Sequence, residues 1–233
     1  MLTCALTSPL TSKLTRSLVD AGMVAPPASG GGGSDPYWAN VVSLLHFDGA
    51  NGSTTFTDEK GVSWTRYGST AAISTAQSKF GGSSLLLSSG GLNGTYASAL
   101  GTGDYTIECW IYPTSVSAIT VVWGTSNYAL DLWNNQLLFY QSAQYCISAA
   151  ITANSWYHVA LVRSAGVNSV YVNGVASATT TTAGGGNLGA AFDIGCLLGG
   201  NTLQGYIDEF RVTKGVARYT SNFTPPTAPF PNS

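Results

Sequence analysis

The stretch 206–231, YIDEFRVTKGVARYTSNFTPPTAPFP, constrains the fold more than any other segment of the chain. Its first part strings Tyr206, Ile207, Phe210 and Val212 into an extended apolar run that ends at a basic turn, Lys214-Gly215. Beyond the turn, Pro225, Pro226, Pro229 and Pro231 remove backbone donors and fix φ, so the tail can neither continue a helix nor enter a central strand. Tyr219, Phe223 and Phe230 recur at short intervals, and burying each contributes roughly 1.5–3 kcal/mol. A segment rich in large apolar groups and poor in N–H donors is predicted to lie as a strap across a finished surface. Arg211 and Arg218 are then expected to pair with Asp208 or Glu209 at the surface, worth at most about 1 kcal/mol.

Upstream, strand signals follow one another with turns between them and no convincing helical period. Residues 41–47 form a nearly continuous apolar run. Along 106–112, Ile107, Cys109 and Ile111 face one way, Glu108, Trp110 and Tyr112 the other. Asn134-Asn135 and Asn173-Gly174 each separate two extended runs and tolerate the positive φ that two-residue hairpins need. The expected fold is all-β: a two-sheet antiparallel sandwich over 37–233.

Four segments, VVSLLHFDG (41–49), SKFGGSSLLL (78–87), DYTIECWIYPT (104–114) and SWYHVALVRSAGVNSVYVNGV (155–175), precede the 206–231 block in the expected order. Together the five resemble laminin-G-like, concanavalin A-type jelly-roll domains, in the variant common in bacteriophage structural proteins. The resemblance implies a virion structural protein, a fibre or decoration subunit docked on capsid or tail. Its alternatives are a lectin-like adhesin for host surface glycan and, third, a glycan hydrolase. The fold alone does not choose among them.

Residues 2–21 repeat leucine at every fourth position: Leu2, Leu6, Leu10, Leu14 and Leu18. On a helix such a stripe drifts about 40° per step, and Pro9 interrupts it. Residues 1–24 therefore read either as a loose tail or as an arm that buries its leucines in a partner, and arms of this sort look like N-terminal segments of phage virion proteins. Such arms are usually bundled, which implies a homo-oligomer, a trimer. Residues 25–36, with prolines and then glycines, read as a linker.

Charged residues are 9% of the chain and the net charge is −2. With no basic stripe to neutralise phosphates, nucleic acid is not an expected partner. No stretch reaches the roughly 18 apolar residues of a membrane span, and no signal peptide is read at the start, so assembly in the host cytoplasm is expected. Cys4, Cys109, Cys146 and Cys196 are scattered without metal-type spacing and are expected to be free thiols.

The chemistry-bearing residues are few. No strand carries the alternating carboxylates of a sandwich glycanase, so the chain is expected not to be an enzyme and to require no cofactor. His46 and His158, the only histidines, sit among apolar neighbours and read as satisfied core residues. Related sandwiches often hold one Ca²⁺ near the rim, and the resemblance implies Asp48, Asn51, Asp58 and Asp208 as its ligands. Read alone, Asp48 and Asp58 equally suit turn caps. Trp123, Tyr128, Trp133, Tyr140 and Tyr145 cluster in sequence and are candidates for stacking on sugar rings, though in a sandwich half of them must point inward.

Overall fold

A computed structural model describes residues 33–125, 128–141, 144–180 and 188–233. The leucine arm, most of the linker and Cys4 lie outside the described residues. One sheet runs in the order β13 (Val175–Ala176), β12 (Val167–Val172), β11 (Tyr157–Ser164), β6 (Tyr105–Pro113), β15 (Gly205–Lys214), β4 (Ser84–Leu87) and β3 (Ala72–Ser74). Its eighth strand, β1 (Val41–Leu45), pairs with the far half of β15. The second sheet has seven strands: β10 (Gln144–Ala150), β9 (Gln136–Gln141), β8 (Ala129–Trp133), β7 (Thr120–Gly124), β14 (Ala191–Ile194), β5 (Gly91–Thr95) and β2 (Trp64–Tyr67). All these strand pairs are antiparallel. The expected sandwich is present, and apart from one 3-10 turn at Trp38–Asn40 no helix occurs among the described residues.

Both predicted hairpin turns form. Asn134 and Asn135 have φ of 48° and 57°, and Asn173 and Gly174 have 48° and 77°. The core lies between the sheets, where Ile107, Cys109 and Ile111 of β6 meet Trp123, Leu130, Leu132, Phe139 and Phe192 of the opposite sheet. Cys109, Cys146 and Cys196 are buried and form no disulfide, and burial pushes the Cys109 thiol well up.

Most of the outward face of β6 is buried as well, because the C-terminal segment folds back over it, while Tyr112 stays half-exposed. No residue beyond Lys214 joins a strand. Tyr219 and Phe223 stack at 3.5 Å and pack with Ala160, Val162 and Tyr171, while Phe230 packs with Val41 and Leu44. The strap is pinned at Gly174, where the Phe223 N–H donates to the Gly174 carbonyl and a Cβ would collide with the Phe223 carbonyl.

The expected surface pairs of Arg211 and Arg218 with Asp208 or Glu209 do not form. Both arginines are buried under the strap. Arg211 donates to Glu108 at 2.7 and 3.0 Å and to Asp35 at 3.1 Å; Arg218 donates to both Asp35 oxygens at 3.0 and 2.7 Å. The Tyr219 hydroxyl donates to Glu108 at 2.8 Å, and His158 Nε2 lies 3.1 Å from the same carboxylate. Asp35, which composition places in the linker, is thus 4% exposed and built into the sandwich. Burial alone would raise the Glu108 carboxyl, but Arg211, His158 and Arg218 outweigh it and hold it well below its usual range. Asp35 is likewise held low by Arg218 and Arg211 despite its burial.

Removing one member leaves a buried charge without its partner, which costs about 3–5 kcal/mol. Asp35→Ala and Arg218→Ala should each lower the unfolding midpoint by many degrees, whereas Lys60→Ala should barely move it. Truncation after Ala217 should act like the first two. Thermal or urea unfolding of the four variants checks this. Because both carboxyls are depressed, their stabilisation is present above the unfolded carboxylate pKa of about 4 and is lost in more acidic solution.

Candidate binding face on the seven-stranded sheet

The strap covers part of one sheet, and the outward face of the other carries no such cover. Register across it is set by the pairs Ala129–Gly124, Gly124–Asp193, Asp193–Asn93 and Asn93–Thr65, which place these residues at one level from β8 to β2. The 195–204 connection folds back over this level: Leu197 approaches Gly124, and the Leu198 N–H donates to Asp193 Oδ2 at 2.9 Å. Gly199 then abuts the Tyr67 ring so closely that a Cβ there would lie 2.2 Å from a ring carbon.

The result is a cleft of about 470 Å³ lined by Thr65, Arg66, Tyr67, Asn93, Asp193, Leu198 and Gly199. Tyr67 is 52% exposed and Leu198 77%. At the floor, Asn93 Nδ2 donates to Asp193 Oδ1 at 2.8 Å, so amide and carboxylate fix each other's orientation. One aromatic wall, an apolar lip and a few oriented polar groups form the usual make-up of a small-ligand site. Such a wall can stack on the C–H face of a sugar ring while the amide and hydroxyl reach its oxygens. A second cleft of about 480 Å³ lies beside Val42, Lys60 and Tyr96. It offers no exposed ring: Tyr96 is buried, and Lys60 lies 4.1 Å over Trp38 with its Nζ bonded to the Trp38 carbonyl.

The aromatic candidates from the sequence divide. Trp123 is fully buried and packs on Phe139 and Phe192, because a bulge in β7 turns both Val122 and Trp123 into the core. Tyr128 is half-buried against Phe139. Trp133, at the end of β8, is 53% exposed and remains available on the outward face. Tyr140 and Tyr145 pair across β9 and β10, and their side chains lie outside the described residues. Asp131 on β8 lies two strands from Asp193 on β14 and two residues along from Ala129, which is level with Asp193, so they are more than about 10 Å apart. Burial raises the Asp131 carboxyl to about 6. No described strand presents two alternating carboxylates on one face. Tyr67, Arg66, Asn93 and Asp193 were not singled out from sequence, since a pair 100 residues apart such as Asn93–Asp193 has no local signature.

Three of the four calcium candidates accept hydrogen bonds within the protein. Asp58 accepts from Ser43, from Trp64 Nε1 at 3.0 Å and from the Lys60 N–H at 2.7 Å. Asn51 Oδ1 accepts from the Thr75 N–H, and Asp48 packs against Gly81. Asp208 Oδ2 accepts the Lys79 and Phe80 N–H groups at 2.7 and 3.1 Å. No group of three or more His, Cys, Asp or Glu converges as a metal site among the described residues. His46 and His158 are hydrogen-bonded to Glu209 and Glu108, in keeping with the core reading.

Residues 87–218 match a laminin G family described as the concanavalin A-like lectin/glucanases superfamily. The chain belongs to that superfamily. No curated protein sequence matches it. Among solved structures, domain 4 of an extracellular arabinanase from Geobacillus stearothermophilus, in complex with arabinotriose, is similar at 20% identity and a TM-score of 0.57, covering 76% of this chain and 94% of that one. Trypanosoma rangeli sialidase in complex with sialic acid is similar at 18% identity and 0.56, with 86% of this chain but 36% of the sialidase covered. The binding domain of botulinum neurotoxin serotype D/C follows at 16% identity and 0.55, covering 78% of this chain and 50% of that domain. The chain thus spans between about a third and half of the latter two. At these identities the likeness is one of fold. No helix among the described residues is long and apolar enough to cross a membrane.

Burial pushes the Asp208 carboxyl up to about 7, against the backbone donors of Phe80, Lys79 and Glu209 that pull it down. A folded pKa above the unfolded value of about 4 means that ionisation penalises the native state, so Asp208 costs stability increasingly as pH rises from about 4 to 7 and fully above that. Asp208→Asn should therefore gain on the wild type between about pH 4 and 8, read as the difference between their midpoints. Calcium and then chelator at pH 7 should leave the wild-type midpoint unmoved; a rise with calcium would mean that these carboxylates do share an ion.

Proposed function

We propose that this protein is a non-catalytic subunit that recognises carbohydrate through the outward face of its seven-stranded sheet and is carried on a bacteriophage particle by its leucine-rich arm. The observation that carries the recognition half is the exposed aromatic cleft at Tyr67, with Trp133 also exposed, on the sheet that the strap does not cover. An arabinanase domain of like fold in complex with arabinotriose supports it. The separation of Asp131 from Asp193, and the tying of Asp193 to Asn93 and Leu198, favour binding over hydrolysis. The display half rests on the leucine-threonine arm, the Pro/Gly linker and the resemblance of the chain to phage structural proteins. Arms bundled in threes would make the displayed unit a trimer.

Isolated host envelope polysaccharide should retain the protein and emerge with its chain length unchanged. Tyr67→Ala should weaken retention by about three- to tenfold, the worth of one aromatic stacking contact, with the unfolding midpoint unaltered. Deleting residues 1–24 should abolish co-purification with particles and leave retention intact. Retention insensitive to Tyr67→Ala would place any binding elsewhere, and shortened polysaccharide would replace the binding reading with a hydrolytic one.

A further inference from the structure

We infer that the sugar unit taken in the Tyr67 cleft is uncharged and is held through its hydroxyl hydrogens, with Asn93 and Asp193 as the acceptors. The inference rests on the carbohydrate reading above and narrows it to a class of ligand.

Strand register fixes which side chains reach the cleft from the sheet. Thr65, Asn93 and Asp193 are partners across β2, β5 and β14, while their chain neighbours Trp64, Leu92, Phe192 and Ile194 belong to the core. Of the two charged residues that line the cleft, Asp193 therefore stands on its floor. Arg66 pairs with Leu92 and lies on the Trp64 side of β2, opposite Thr65 and Tyr67. The charge that register places on this face is negative.

Hydrogen-bond directions agree with that sign. Asn93 Nδ2 donates to Asp193 Oδ1 at 2.8 Å and to the Phe192 carbonyl at 3.4 Å. With acceptors at both its contacts the amide is set one way round, and Oδ1 is the atom left for a ligand. Asp193 accepts from Asn93 at one oxygen and from the Leu198 N–H at the other, and a carboxylate offers about four acceptor positions, so capacity remains. The turn at the lip does not reverse this. Successive N–H groups at a turn can form an anion-binding concavity, but here they are spent inside the protein. Leu197 and Gly200 exchange N–H and carbonyl at 3.1 and 2.9 Å, Leu198 donates to Asp193, and Gly199 donates to the Cys196 thiol. The Thr65 and Tyr67 hydroxyls rotate and can serve either way.

Neighbouring sugar hydroxyls supply the donors that such acceptors need, while the Tyr67 ring takes the C–H face. A carboxylate, phosphate or sulfate on the sugar brings only acceptors and a charge of the wrong sign, so the cleft selects against it.

The Asn93–Asp193 pair can also serve only to anchor the 195–204 connection, and the test separates the two roles. The full-length protein is applied to neutral oligosaccharides from arabinan and galactan and to acidic ones, polygalacturonate fragments and sialyllactose. Neutral members should bind best, with signals that hold as salt rises, since no ion pair is there to be screened. Fluorine in place of single hydroxyls of a bound neutral member removes the donor at little change in size. At the hydroxyls that meet the cleft it should weaken binding about tenfold, the scale of a lost hydrogen bond to a charged group. Asp193→Asn should weaken neutral members about as much and narrow their lead over acidic ones. Acidic members binding best, or fluorine tolerated at every hydroxyl, overturns this inference and leaves the carbohydrate reading standing. If Asp193→Asn lowers the unfolding midpoint and all signals alike, with the neutral-to-acidic ratio unchanged, the pair is only an anchor and the inference fails. No signal on any member overturns the carbohydrate reading and this inference with it.

Discussion

Two carboxylates and two guanidiniums meet on the outward face of the eight-stranded sheet, and the rest of the molecule is arranged around them. Glu108 stands on a central strand, Arg211 on its neighbour, Arg218 in the returning strap, and Asp35 at the start of the described sandwich. None could be buried alone, because an isolated charge in an apolar setting is prohibitively costly. Together they hydrogen-bond one another, and Tyr219, His158 and Thr213 supply further contacts. Arg211 also lies 3.7 Å over the Phe230 ring, so the same cation that satisfies Glu108 seats the end of the strap. The network therefore joins segments from Asp35 to Phe230.

That closure decides which surface is left for recognition. A two-sheet sandwich has two outward faces, and a strap of aromatics and prolines covers part of one of them. On the other, the 195–204 connection folds back and is anchored through Asp193. It leaves Tyr67 exposed on one flank, while Trp133 stands exposed at the end of β8. In this reading the polar groups that hold the connection in place are also the groups that line the ligand cleft.

The sandwich, its hairpin turns and the covering tail were legible because each rests on local chemistry: period-two alternation, residues that accept positive φ, and prolines that exclude a ladder strand. Reading the site from sequence went less far. Trp123 and Trp133 look alike in a linear reading, yet a bulge that turns Val122 and Trp123 inward together buries the first, while unbroken alternation in β8 keeps the second outside. Asp58 resembled a rim ligand and is instead a buried acceptor for Ser43, Trp64 and Lys60.

Sequence by itself determined the fold class, the strap and the absence of a glycanase carboxylate pattern along any one strand, since these depend on residues near one another in the chain. Only the tertiary structure decided that Arg211 and Arg218 are interior, that Asp35 belongs to the sandwich, and that Tyr67, Asn93 and Asp193 share a cleft. The physical reason is the same in each case. Whether a charge is buried or free depends on what strand pairing and chain return bring against it, and partners such as Asp35 and Arg218 are separated by nearly the whole described sandwich.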